Sequence, residues 1–346
     1  MSTISRPRIS VLMPTFNVEH YVERALSSAL AQTASDLEVL VVDESTDATS
    51  ELARRVAVRD RRVRVLSNPE RLGLAASRNR ALDEAQGDWV ALLDGDDAWL
   101  PERLEHLLAA AETSGADFVS DDIIRVELDG RTARNYLRHD CPSLVEDGRS
   151  GWMSATELLV YQLGYLKPIM NREFLSRNRI RYNPALQLQE DLHFFFWALL
   201  AGARWLQLSD AYYLYIQRPG SAMTEWVDRY EGSNLLDESE RLLGHPAVCH
   251  DPVLFAAVQR FVDGQRVALR WGKLRRDLHR RYWAGIGRNL LDDPAHLPRV
   301  VAHGIRSWVA RRQPIPADLC LLNEAGVLSS LAASEGHQAT PVATRS

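Results

Sequence analysis

Cysteine is scarce: the 346 residues hold three, Cys141, Cys249 and Cys320, far apart and odd in number. No CxxC occurs, so neither a disulfide framework nor a zinc ribbon is supported, and scattered thiols fit a cytoplasmic protein. No stretch approaches the roughly 18 uninterrupted apolar residues of a spanning helix. The opening MSTISRPRIS lacks the charged-then-apolar pattern of a secretion signal. Walker A, GxGxxG, HExxH and GxSxG are all missing, as are internal repeats. A glycine-loop phosphate site, a zinc-protease site and a serine nucleophile elbow are therefore unsupported. The net charge of −5 argues against general nucleic-acid binding.

Apolar residues make up 46% and charged residues 25%, which matches a globular chain able to bury a core, in one large domain or two smaller ones. The charge is unevenly spread. Residues 260–312 hold 13 Lys/Arg against 4 Asp/Glu, an excess of nine, so the rest of the chain is strongly acidic.

Apolar runs at 9–14, 37–43, 62–66, 89–93 and 118–124 read as strands, and periodic segments at 18–32, 46–58, 73–86 and 101–111 as helices. LEVLVVD (37–43) is apolar throughout, as strands buried on both faces are. The alternation predicts an open, mostly parallel sheet wound with helices on both faces. Residues 125–155 read as a polar excursion, 191–201 as an aromatic helix, and 203–208 and 212–216 as two strands. From about 231 the pattern is helical, and 330–346 reads as a frayed tail.

In such sheets ligands bind at the carboxyl ends of the strands. Three acidic groups fall where that rule places them: Asp43-Glu44, the DGDD turn of Asp94, Asp96 and Asp97, and Glu190-Asp191 at the head of the aromatic helix. Asp at a strand end is also an ordinary turn or cap residue. Three carboxylates within four residues, however, repel unless a cation neutralises them, and hard oxygens suit Mg²⁺ or Mn²⁺.

The segments ISVLMPTFN (9–17), LEVLVVDESTDAT (37–49), NPERLGLAASRNRAL (68–82), GDWVALLDGDDAWLPERL (87–104), QEDLHF (189–194) and YIQRPGSAMT (215–224), in this order and spacing, resemble the family 2 glycosyltransferases of the GT-A fold. Within that family the chain resembles bacterial exopolysaccharide glucosyltransferases of the succinoglycan type. The resemblance implies a Rossmann-like mixed, mostly parallel sheet over residues 1–225, followed by a helical region over 226–330 and a disordered tail over 331–346. It implies that Pro14, Thr15, Phe16 and Asn17 meet the nucleotide base and ribose. Asp43 and Glu44 stand where the family has two aspartates, one reading the uracil edge; Glu44 departs from that pattern by one methylene. Arg71, Arg78 and Asn79 approach the donor, Asp94 and Asp96 lie at the ribose-diphosphate, Asp97 and Asp96 take the metal, and Arg218 lies over the diphosphate. Asp191 is the implied catalytic base, with Glu190 beside it. The implied reaction is an inverting, metal-dependent transfer from a UDP-sugar, with glucose expected, to a lipid-linked saccharide or polysaccharide.

His193 reads as a helix-face residue rather than a ligand, Ser221 as no nucleophile, and Trp99 and Trp152 as core residues or sugar-stacking rings. A nucleotidyltransferase would open with a Gly-rich basic loop where MPTFNVEH stands, which argues against that class. A non-catalytic scaffold subunit is the remaining alternative, and the intact DGDD and Glu190-Asp191 argue against it. The Lys/Arg and aromatic residues of 260–312 read as an amphipathic surface resting on anionic lipid, or as packing onto the catalytic domain. The expected location is cytoplasmic, peripheral to the inner face of the cell membrane.

Overall fold

A computed structural model describes residues 6–68, 70–126, 133–141, 144, 150–217, 234–283 and 297–302. The front half alternates as its apolar runs predict. It runs β1 (Ile9–Thr15), α1 (Val22–Leu30), β2 (Leu37–Asp43), α2 (Thr49–Arg59), β3 (Val63–Ser67), α3 (Leu74–Glu84) and β4 (Trp89–Leu92). These four strands are mutually parallel in the order β3-β2-β1-β4. β1 and β2 are buried along their whole length, as unbroken apolar runs require.

The chain then passes through β5 (Ala98–Trp99), α4 (Arg103–Ser114), β6 (Phe118–Val126), β7 (Ala133–Asn135), α5 (Tyr136–Asp140), β8 (Gly151–Met153), α6 (Ala155–Val160), β9 (Ile169–Asn171), α7 (Arg172–Arg177), α8 (Glu190–Leu200) and β10 (Trp205–Ile216). The sheet continues from β4 through β9, β6 and β10 to β5, with β7 and β8 paired to its flank. β9 runs antiparallel to both β4 and β6, whereas β6 and β10 are parallel. The sheet is thus mixed: β9 joins two parallel halves. Within residues 234–283 three helices follow: α9 (Leu235–Leu242), α10 (Pro246–Cys249) and α11 (Pro252–His279).

Two local expectations change. The segments 203–208 and 212–216 are one strand, β10, whose pairing to β6 slips between Gln207 and Ala211 and again before Tyr213. Those irregularities break the alternation that a single strand would show in sequence. Helix α4 begins at Arg103, because Pro101 accepts a bond from Thr33 N–H and lies in the preceding turn. One apolar core runs from both faces of the sheet into α11 through Leu254, Val258, Phe261 and Val262.

Candidate active site

The carboxyl ends of β1 and β2 lie side by side, and the chemistry begins there. Thr15 Oγ1 donates to Asp43 Oδ1 at 2.8 Å, and Ser45 Oγ donates to the same oxygen at 2.7 Å. Among the described residues these bonds fall on Asp43 Oδ1 and not on Oδ2. Asn17, in the left-handed region at φ 52°, accepts from Thr46 N–H at 2.9 Å and so ties the β1 loop to the β2 loop. The guanidinium of Arg71 stacks 3.8 Å over the ring of Phe16, joining two residues expected at the nucleotide. The DGDD turn presses against the same strand end. A Cβ on Gly95 would stand 2.7 Å from Thr15 Cγ2, so only glycine permits this approach.

The second feature is a buried ionic cluster. Arg78, from α3, is almost fully enclosed. Its Nη1 donates to Glu190 Oε1 at 2.8 Å and Asp191 Oδ1 at 2.7 Å, while Nη2 donates to Asp94 Oδ1 at 2.9 Å. Lys167, two residues before β9, places Nζ 2.8 Å from Asp191 Oδ2 and 3.0 Å from Asp94 Oδ2. Two cations therefore bridge the DGDD turn to the head of α8, whose N-terminal dipole also favours the two carboxylates. Burial opposes ionisation of Asp94, but Lys167 and Arg78 outweigh it and hold the carboxyl below its usual range. Burial and the neighbouring Asp191 push Glu190 upward, and Arg78 offsets this only in part. Burial would strip Lys167 of its proton, but Asp191 and Asp94 reverse the effect and raise its pKa.

Asp97 faces inward at 1% exposure. Its Oδ2 accepts from Tyr213 O–H at 2.6 Å, and its Oδ1 from Ile216 N–H at 2.9 Å, so it fastens the acidic turn to β10. Burial, with the charges of Asp96 and Asp94, lifts it well above the usual carboxylate range. Asp96 is half-exposed. Among the described residues, no three His, Cys, Asp or Glu side chains form a metal cage. A donor set of one or two hard carboxylates, Asp96 being half-exposed, fits a Mg²⁺- or Mn²⁺-type ion. Such ions take one or two protein ligands and complete their shell from substrate phosphates and water.

Other expected residues make contacts within the protein. Glu44 accepts from Asn68 Nδ2, Ser77 Oγ, Leu72 N–H and Gly73 N–H, which ties down the loop leading into α3. Burial opposes its charge, yet these bonds win and keep its pKa below normal. Asn79 uses both ends of its amide on the main chain of Tyr182, at 2.8 and 2.9 Å. Pro14 is buried within β1. Trp99 is buried beneath Arg103, and Trp152 is exposed under the guanidinium of Arg204. His193 is buried against Ser239 Oγ at 3.3 Å, and burial lowers its pKa to about 4, which keeps it neutral. Arg218 and Ser221 lie outside the described residues.

Sequence reasoning misses Lys167 and Tyr213. Lys167 stands alone in the apolar run GYLKPIM; a single lysine in such a stretch is a signal that points to a buried charge.

A mixed open sheet with acidic residues gathered at its carboxyl ends is the arrangement expected of a GT-A-type glycosyltransferase. A family model described as Glycosyl transferase family 2 matches residues 10–178. The succinoglycan biosynthesis protein ExoO of Rhizobium meliloti (strain 1021) is 31% identical over 312 residues, 88% of either chain. The chain belongs to glycosyltransferase family 2. Among solved structures, S. aureus TarS 1-349 in complex with UDP-GlcNAc aligns with a TM-score of 0.58 at 23% identity, covering 75% of this chain and 72% of that one. The mannosyltransferase PcManGT from Pyrobaculum calidifontis, in complex with GDP-Man and Mn²⁺, aligns with a TM-score of 0.56 at 20% identity, covering 90% and 82%.

The cluster predicts a stability effect. Lys167→Met leaves three buried carboxylates against one guanidinium, so unfolding in urea should show a loss of about 3–5 kcal/mol. A loss below about 1 kcal/mol would contradict the buried bridge.

Proposed function

We propose that this chain is an inverting transferase that moves a hexose, glucose in our reading, from a UDP-sugar to a hydroxyl of a lipid-linked oligosaccharide or polysaccharide. One observation carries the reading: Arg78 and Lys167 fix Asp191 beside Asp94, on the sheet edge where Asp43 and Thr15 also end. The TarS complex supports a UDP-sugar donor, and ExoO supports a saccharide acceptor in exopolysaccharide synthesis.

In this reading Asp43 Oδ2 accepts N3–H of uracil, while Phe16 and Arg71 flank the base. Asn17 and Pro14 shape the ribose edge. Asp96 and Asp97 would hold the divalent cation, Asp96 directly and Asp97 from behind through the turn it fastens. When bound, that ion stabilises charge on the departing diphosphate. Asp94, held by Arg78 and Lys167, faces the donor sugar, and Arg218 is assigned to the diphosphate. An acceptor hydroxyl is a poor nucleophile and needs a base within hydrogen-bond reach. Asp191 takes its proton as the oxygen attacks the anomeric carbon from the face opposite the leaving UDP. No covalent enzyme intermediate is needed, so the configuration inverts. Glu190 shares Arg78 with Asp191 and positions it.

The transferase unit is assigned to 1–225, the helical region to 226–330 and the tail to 331–346. No helix among the described residues is long and apolar enough to cross a membrane. Leu278, Tyr282 and Trp283 are exposed beside Lys273, Arg275, Arg276, Arg280 and Arg281. Apolar rings interleaved with cations suit the surface of an anionic bilayer. We assign the protein to the cytoplasmic side, resting on the inner leaflet where a lipid-linked acceptor is presented.

Three outcomes test this reading. Asp191→Asn keeps the shape of the base but cannot take the proton, so transfer should fall about 10²–10⁴-fold while UDP affinity stays unchanged; near-normal transfer would falsify the assignment. In calorimetry, Asp96→Asn should abolish the gain in UDP affinity that Mn²⁺ gives the wild type, and wild-type UDP binding that ignores EDTA removes the metal from the mechanism. The full chain should co-sediment with anionic vesicles and be released as salt rises, and a chain that ignores them at low salt has a purely structural C-terminal region.

A further inference from the structure

Tyr182 has no part in the donor site or the reaction described above, yet it is packed into the ionic cluster. The residue is 1% exposed. Asn79, the neighbour of Arg78 on α3, holds its main chain at both polar atoms, with bonds of 2.8 and 2.9 Å. Its ring stacks on Phe194 at 4.1 Å and 11°. Phe194 lies one turn beyond Glu190 and Asp191 on α8. The Arg78 guanidinium stands 5.3 Å from the centroid of the same ring, within cation–π range. Contacts from two helices thus fix the ring against the residues that hold Asp191.

The hydroxyl is the part that packing does not explain. Among the described residues it is buried and closes no hydrogen bond. A buried hydroxyl without a partner costs stability, and a phenylalanine would form the same stack without that cost. The group is nevertheless within the influence of the base. Burial first, and then the charge of Asp191, hold the phenol well above its usual range, so it stays protonated. A neutral, uncommitted hydroxyl therefore stands near a carboxylate whose own bonds come from cations: Arg78 on Oδ1 at 2.7 Å and Lys167 on Oδ2 at 2.8 Å.

Those cations serve only one state of the carboxylate. Guanidinium and ammonium groups donate and cannot accept. They suit ionised Asp191 and give nothing to the O–H it carries once it has taken a proton. That O–H is formed in a buried place and needs an acceptor there. The other carboxylates of the cluster are engaged with the same cations: Asp94 through Oδ1 to Arg78 and Oδ2 to Lys167, and Glu190 through Oε1 to Arg78. A tyrosine hydroxyl both donates and accepts.

We propose that Tyr182 is a positioning residue for the transfer, its hydroxyl oxygen accepting the O–H of Asp191 once the proton of the attacking hydroxyl has arrived there. The inference rests on the reading of Asp191 as the base and deepens it. One O–H bond breaks on the attacking oxygen and one forms on Asp191. The freed electron pair makes the bond to the anomeric carbon, and UDP leaves with the pair of the bond that breaks. Tyr182 keeps its own proton throughout. It supports the base only as the proton arrives, so it acts on turnover and not on donor binding.

The test uses the full chain with UDP-glucose and Mn²⁺, with water as the attacking hydroxyl and released UDP as the readout. Tyr182→Phe should lower kcat about tenfold, the effect of losing one hydrogen bond, with KM for UDP-glucose unchanged. Its midpoint in urea should equal or exceed that of the wild type, since the change removes an orphaned hydroxyl and keeps the stack. Placing 3-fluorotyrosine at the same position keeps the hydroxyl but weakens its oxygen as an acceptor, so kcat should fall between the other two; this protein serves should the Phe variant not fold. An unchanged kcat in either protein overturns the proposal. So does a fall in kcat matched by a fall in the urea midpoint, which marks a merely structural residue. If Asp191→Asn releases UDP as fast as the wild type, or the wild type releases none, the base reading fails and this inference falls with it. With Asp191→Asn inactive and Tyr182→Phe fully active, only the role of the tyrosine fails.

Discussion

Two buried cations carry the architecture of the site. Arg78 comes from α3, Lys167 from the approach to β9, Asp94 from the turn after β4, and Asp191 and Glu190 from the head of α8. The bridges from Arg78 alone span between 16 and 113 residues of chain. An ion pair at this depth gains little net stability, because desolvation cancels most of the attraction. What it provides is geometry. A carboxylate held at both oxygens by separate cations has no freedom to swing, and a base must stand within a fraction of an ångström of its working position. The cluster also holds three carboxylates against two cations, so one negative charge is left over. Burial first, and then the charge of Asp191, push Glu190 upward.

Burial sorts the remaining carboxylates by task. Asp97 is enclosed and commits both oxygens to β10, so it holds the turn in place. Asp96, its neighbour, is half-exposed, where a ligand can reach it. The same sorting separates Asp43 from Glu44. Asp43 is bonded on one oxygen, whereas Glu44 reaches four donors in the loop before α3. The extra methylene of glutamate is what lets it reach Leu72 and Gly73. Glu44, which departs from a second aspartate, supports the segment bearing Arg71 and Arg78.

The parts of the fold that are legible in the sequence are those with a strong period. β1 to β4 are apolar runs between turn residues, and their helices repeat at helical spacing. β5 and β9 have two and three residues, too few to show any period, and they are found only because the sheet closes over them. β10 reads as two strands because its pairing slips in the middle. In the site, the acidic residues announce themselves because clustered carboxylates are unfavourable without a reason. Their cationic partners do not. Arg78 is reached only through a family segment, and Lys167 belongs to no motif. Asn79, in the same segment as Arg78, is committed to the main chain of Tyr182: spacing locates a residue near a site without saying what its side chain bonds.

The C-terminal region is coupled to the site rather than appended to it. Gln189 precedes Glu190 in the left-handed region, at φ 56°, a strained position for a residue with a side chain. Its Oε1 accepts from Gln265 Nε2 at 3.0 Å, and Gln265 lies buried midway along α11. The start of α8, and with it the orientation of Asp191, is thus braced by the same helix whose far end, from Lys273 onward, carries the basic and exposed residues. From Gln265 to Leu278 a helix rises about 20 Å. If that end rests on lipid, one rigid helix fixes both the height of the carboxylate above the surface and its aim, so an acceptor anchored in the bilayer would be met at a set distance.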